Sequence, residues 1–76
     1  MDMPDYETVW ITAMTAFRLK KARVDKGISQ SELAQRIEAS VNQIEHYERG
    51  EVDMPMDRLF DLARILDLPA GELLAE

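Results

Sequence analysis

The sequence predicts an all-α fold of five helices, and three observations carry the prediction. Apolar residues recur at three-to-four spacing along most of the chain. Alternation of apolar and polar residues never persists over four or more positions, so no strand is expected. Two helix-start signatures, Ser29-x-x-Glu32 and Ser40-x-x-Gln43, stand close together in the middle of the chain. The reading is one domain over 1–76, with helix 1 at about 5–26, a central helix pair at about 29–49 and helices 4 and 5 at about 55–75.

The N-terminal stretch is polar to Asp5, with Pro4 suited to a first helical turn and Asp5 and Glu7 favourable for the helix dipole. Tyr6, Val9, Trp10, Ala13, Met14 and Phe17 then share a helical stripe, continued by Leu19, Ala22 and Val24 until Gly27 ends the helix. The stripe swings between the two halves of this long helix. Trp10 and Met14 are therefore either core or an outward face for dimerisation or a protein partner. Lys20, Lys21, Arg23 and Lys26 near its end satisfy the helix dipole whatever the partner, and are equally candidates for phosphate contact.

In the central pair, Ser29 caps one helix with Ile28 and Leu33 as its staple, and Ser40 caps the next with Ala39 and Ile44. Leu33, Ala34 and Ile37 form the buried face of the first, Ile44 and Tyr47 that of the second, and Gly50 supplies a left-handed stop. Two helices of about two turns each with almost no linker must cross steeply, which is a helix-turn-helix. Its second helix turns Val41, Asn42, Glu45, His46 and Arg49 outward. These are either a solvated face or a reading head: Asn pairs bidentately with adenine and Val packs on a thymine methyl.

Beyond Gly50, Asp53 is a candidate cap with Pro55 in the following first turn; Met56, Leu59, Phe60, Leu62, Ala63 and Leu66 make a fourth amphipathic helix. Its polar face, Arg58 included, reads as plain solvent exposure. Asp67-Leu68-Pro69 stops it, and Ala70 to Ala75 forms a last short helix whose Leu73 and Leu74 either close the core or meet another protein.

Composition limits the functions available. With no Cys and one His there is no disulfide framework, no thiolate zinc site and no His-based metal cluster, and no paired carboxylates that so small a chain could enclose, so neither metal, cofactor nor catalytic residues are expected. The longest uncharged run, Thr8 to Phe17, is too short for a bilayer, and the acidic start does not resemble a secretory signal; the expectation is a soluble, cytoplasmic protein. The net charge of −6 counts against a nucleic-acid partner until its distribution is considered. Phe17 to Gly50 carries seven Lys/Arg against five acids, and the flanks hold the acidic excess. A domain of 76 residues is marginal alone, which favours a dimer.

These residues resemble the phage repressor and Cro (Xre-type) helix-turn-helix family. RLKKAR at Arg18–Arg23, GISQSELAQRI at Gly27–Ile37, ASVNQIEHYERG at Ala39–Gly50 and RLFDLARILDLPAGELL at Arg58–Leu74 follow the family's order and spacing. The resemblance implies a lambda-repressor-like DNA-binding domain, to which the apolar periodicity adds an extended N-terminal helix. It implies that Gln30 contacts a phosphate, that Arg23 and Glu48 form a structural ion pair, and that Ser40 sits at the DNA backbone with Val41, Asn42, Gln43 and His46 facing bases or phosphates. Lys20, Lys21, Lys26 and Arg49 are further candidate phosphate contacts. Three positions depart from the pattern: Glu38 replaces the usual turn glycine and so places a Cβ in a left-handed conformation, at about 1 kcal/mol; Glu45 adds a negative charge to the protruding helix; and the acidic, Trp-containing N-terminus lies outside it.

Two functions follow as expectations. One is a sequence-specific regulator that binds double-stranded DNA as a homodimer. The other is a protein-interaction module of the same fold, antitoxin-like or regulator-binding, using Trp10/Met14 or Leu73/Leu74 and binding DNA weakly or not at all.

Overall fold

The computed structural model describes residues 8–74. The chain order is β1 (Thr8–Trp10), α1 (Ala13–Asp25), α2 (Gln30–Arg36), α3 (Val41–Arg49), β2 (Asp53–Pro55), α4 (Met56–Ile65) and α5 (Ala70–Leu74). Five helices form as expected, in the lambda-repressor-like arrangement. The N-terminal extension of helix 1 does not: α1 begins at Ala13, and the residues before it form a strand antiparallel to β2, with Thr8 opposite Pro55, Val9 opposite Met54 and Trp10 opposite Asp53. Pro4 to Glu7 and Ala75 lie outside the described residues.

The correction has a local cause. Thr8, Val9, Ile11 and Thr12 are β-branched and poor helix formers, whereas Thr12 is a good cap. Its hydroxyl oxygen accepts the Thr15 N–H at 3.0 Å and its own proton goes to Thr15 Oγ1 at 3.0 Å, which gives the buried Thr15 a partner. Trp10 and Met14 are consequently not on one helix. The buried face of α1 is Thr15, Ala16 and Leu19, while Met14, Phe17 and Val24 of the expected stripe are exposed.

Both central helices begin as the caps dictate: Ser29 Oγ accepts from Glu32 N at 3.0 Å and Ser40 Oγ from Gln43 N at 3.1 Å. Neither box closes in the reverse direction, since the Glu32 carboxylate instead takes a hydrogen bond from Arg36 one turn on. The α2–α3 turn is a left-handed helix stop. Glu38 has φ 56°, Glu38 N donates to Gln35 O at 3.3 Å and Ala39 N to Ala34 O at 2.8 Å. A Cβ in that conformation is strained, so Glu38→Gly should raise the urea midpoint by an amount worth about 1 kcal/mol. An unchanged or lower midpoint would show that the surroundings already relieve the strain. Gly50, at φ 73°, is doubly constrained, because a Cβ there would lie 3.4 Å from the Ile11 and Thr12 carbonyl oxygens.

Asp53 is not a helix cap. It lies in β2, and α4 starts from Pro55 with no side-chain cap, because pairing with β1 already fixes the backbone up to that point. Asp67, at φ 57°, makes the α4 stop, with Leu68 N donating to Ala63 O at 2.9 Å. Leu19, Leu33, Ile44, Met54, Leu59, Leu62, Leu66 and Leu73 are the fully buried side chains of a single core drawn from all five helices and β2. Leu73 therefore closes the core, and Leu74 beside it is exposed.

Candidate nucleic-acid interface

The steep α2–α3 pair leaves α3 attached by only one face. Ile44 and Tyr47 are buried, while Ser40, Val41, Asn42, Gln43, His46 and Arg49 are exposed and Glu45 is half-buried. Val41, Asn42 and Gln43 occupy the first turn of α3, with His46 one turn further on. Because the Gln43 side chain does not close the capping box, it remains free to face a ligand. His46 Nδ1 lies 3.8 Å from Glu51 Oε2, an attraction only when the imidazole is protonated.

The other end of α3 is fixed by a charged network. Arg23 Nε donates to Glu48 Oε2 at 2.6 Å and Nη2 to Oε1 at 3.1 Å, and Nη1 reaches the Ile28 carbonyl at 2.8 Å. This is the two-point fork that a guanidinium makes with a carboxylate. Gln30 Nε2 also donates to Glu48 Oε1, at 3.0 Å. One cluster thus binds the end of α1, the start of α2 and the last turn of α3. Gln30 has a second amide N–H, so the contact with Glu48 orients the group and leaves a donor available.

Lys20, Gln30, Glu45, Glu48 and Arg49 line one shallow concavity of about 220 Å³. Two of the four candidate phosphate cations, Lys20 and Arg49, are therefore brought next to Gln30. The other two are not: Lys21 and Lys26 line a separate concavity that Leu68 and Leu73 share, Lys21 Nζ is 2.8 Å from Asp25 Oδ2, and Lys26 Nζ is 4.0 Å from Asp67 Oδ2. Residue spacing placed Lys20, Lys21 and Lys26 on one helix but did not give the direction of each.

Arg58 is the residue that sequence reasoning missed. It is half-buried and its Nη1 donates to the Ile37 carbonyl at the end of α2. The available signal was a cation in the first turn of a helix, where the dipole disfavours it.

A capped helix packed by one face on α1 and α2, with its N-terminal turn exposed and two cations at its flank, defines the class of helix-turn-helix DNA-binding domains. The chain belongs to the DNA-binding transcription-regulator family described as Helix-turn-helix (HTH_3), whose model matches residues 19–73. It is 36% identical over 70 residues to an uncharacterized transcriptional regulator in the ATPase CF(0) region of Rhodospirillum rubrum, covering 88% of this chain and 65% of that protein. Among solved structures it is similar to the restriction-modification controller protein C.AhdI from Aeromonas hydrophila, with a TM-score of 0.76 and 30% identity over 80% of this chain and 92% of that one. It is also similar to SinR, master regulator for biofilm formation, solved in complex with DNA, with a TM-score of 0.73 and 31% identity over 80% of this chain and 98% of that one. Among the described residues no helix is long and apolar enough to cross a membrane.

Proposed function

We propose that this protein is a sequence-specific transcriptional regulator that binds a near-palindromic operator as a homodimer, placing α3 of each subunit in successive major grooves. The observation that carries the reading is the exposed first turn of α3, held at a fixed angle by the Arg23–Glu48–Gln30 network. Asn42 and Val41 are the residues to read base edges, with His46 and Gln43 beside them. Lys20, Arg49, Gln30 and Ser40 take phosphates and set the register. The likeness to SinR, whose structure holds DNA, supports DNA as the partner. The chemistry is binding alone, and the place of action is the cytoplasm, with the genome.

Selection from a random duplex pool at low salt, followed by the salt dependence of affinity for the winner, tests this directly. The expected result is a two-fold site with half-sites about ten base pairs apart. Asn42→Ala should then relax preference at one position of each half-site, at about 1–3 kcal/mol of discrimination. Unchanged preference would remove Asn42 from the reading head.

A second reading rests on the outward face of α1, where Met14, Phe17 and Val24 are all more than half exposed. An apolar strip of this kind suits a protein partner. No enrichment and no salt-dependent binding would favour that role over DNA recognition.

A further inference from the structure

The α2–α3 turn sets the angle of the reading helix, and the turn itself is secured from α4. After Glu38 N and Ala39 N have bonded back into α2, the Ile37 carbonyl has no backbone N–H partner among the described residues. Arg58 Nη1 supplies the missing donor. A buried carbonyl without a partner is costly, and a hydrogen bond from a charged donor is among the stronger ones available to it. Glu38, Asp57 and Asp61 line the same concavity as Arg58, which gives its charge an acidic setting without a direct ion pair among the described residues.

The turn needs this external support because of its residue. Glu38 occupies a left-handed conformation that a glycine would adopt at no cost, and nothing in its own side chain favours it. The helix that supplies Arg58 is anchored in turn, since Leu59 and Leu62 are fully buried and β2 runs directly into α4 from its pairing with β1. A hydrogen bond from a rigid element to the last carbonyl of α2 restricts the torsions that follow it, and those torsions decide where α3 points.

We propose that Arg58 is a positioning residue for DNA recognition: by donating to the Ile37 carbonyl it fixes the angle between α2 and α3 without touching nucleic acid. The inference rests on the DNA-binding reading above. Its test compares the parent with Arg58→Met, which keeps most of the stem and removes the donors, and Arg58→Lys, which keeps a cationic donor. All measurements are made well below the melting temperature, on the selected duplex.

Arg58→Met should bind that duplex about tenfold more weakly, as expected for one lost charged hydrogen bond, with Arg58→Lys within about threefold of the parent. The slope of log affinity against log salt should be unchanged in both, because no phosphate contact has been removed. In the free protein, amide hydrogen exchange at Ala39 should accelerate in Arg58→Met. A slope reduced by about one would mean that Arg58 contacts a phosphate itself, and would overturn the proposal. So would parental affinity and parental exchange in Arg58→Met, whatever its melting temperature. A parent protein that binds no duplex would overturn the DNA reading and the purpose assigned to Arg58 together. The exchange rate, measured without DNA, separates that failure from failure of the turn contact.

Discussion

Replacing Arg23 with Ala should cost about 3–5 kcal/mol, since it leaves a buried carboxylate without its cation. Glu48 is 4% and Arg23 11% exposed at the side chain, so solvent cannot take over the lost partner. For a chain of this size each kcal/mol is worth about 4–8 °C in melting temperature, so thermal unfolding monitored by circular dichroism reads the effect easily. Two further variants separate charge from packing. Arg23→Met combined with Glu48→Leu removes both charges and should recover most of the loss, because a buried pair contributes little against an apolar replacement of similar volume. Glu48→Gln should fall between the two, as its amide oxygen still accepts from Arg23 but no longer neutralises it. DNA binding should not recover with stability in the double variant: Gln30 loses the carboxylate that orients it, and with it the geometry of the proposed phosphate contact. An Arg23→Ala protein that melts like the parent would show that the pair is worth nothing to the fold.

The parts of this architecture that could be read from the sequence are those fixed by neighbours in the chain. Ser29 and Ser40 accept from the third residue after them, and Gly50 takes the left-handed stop; each depends on fewer than five residues. The left-handed Glu38 was visible only through the family resemblance, as a residue with a Cβ where the pattern usually has a turn glycine. The N-terminal strand was not visible. Its stabilising partner is β2, far along the chain, and Tyr6 to Phe17 satisfies a helical period by composition alone. Propensity pointed the other way at Thr8, Val9, Ile11 and Thr12, and gave the better answer there. Asp67 was read as part of a stop, but its left-handed backbone replaces a glycine that the sequence lacks.

The site divides along the same line. That Val41, Asn42 and His46 lie outside the core follows from the period of one helix, Gln43 was added by the family resemblance, and the structure leaves all four exposed. The directions of Lys20, Lys21 and Lys26 depend on which neighbour α1 meets at each position. Lys20 meets the start of α2 and the end of α3, whereas Lys21 and Lys26 turn towards α5. The role of Arg58 needs two elements at once, and only the unfavourable dipole at its position hinted that something other than solvent holds it.

The largest single packing effect on the reading helix should come from Ile44→Ala. Ile44 is 0% exposed and follows immediately after Gln43, which is exposed, so the two adjacent positions test the orientation of α3 independently of any ligand. Removing the buried side chain should cost about 2–5 kcal/mol, the loss of transfer free energy plus that of the cavity left behind. A domain of this length has a total stability of only about 4–11 kcal/mol, so the variant should lose a large share of it and melt well below the parent. Gln43→Ala should leave the urea midpoint within about 0.5 kcal/mol of the parent, since Ser40 caps through the Gln43 backbone N–H and not through its side chain. If Gln43 is a DNA contact, its truncation changes affinity without changing stability, whereas Ile44→Ala lowers affinity only in proportion to the fraction unfolded. Equal destabilisation by both substitutions would mean that α3 is rotated from the orientation described, and the assignment of Asn42 and His46 to the outward face would fall with it.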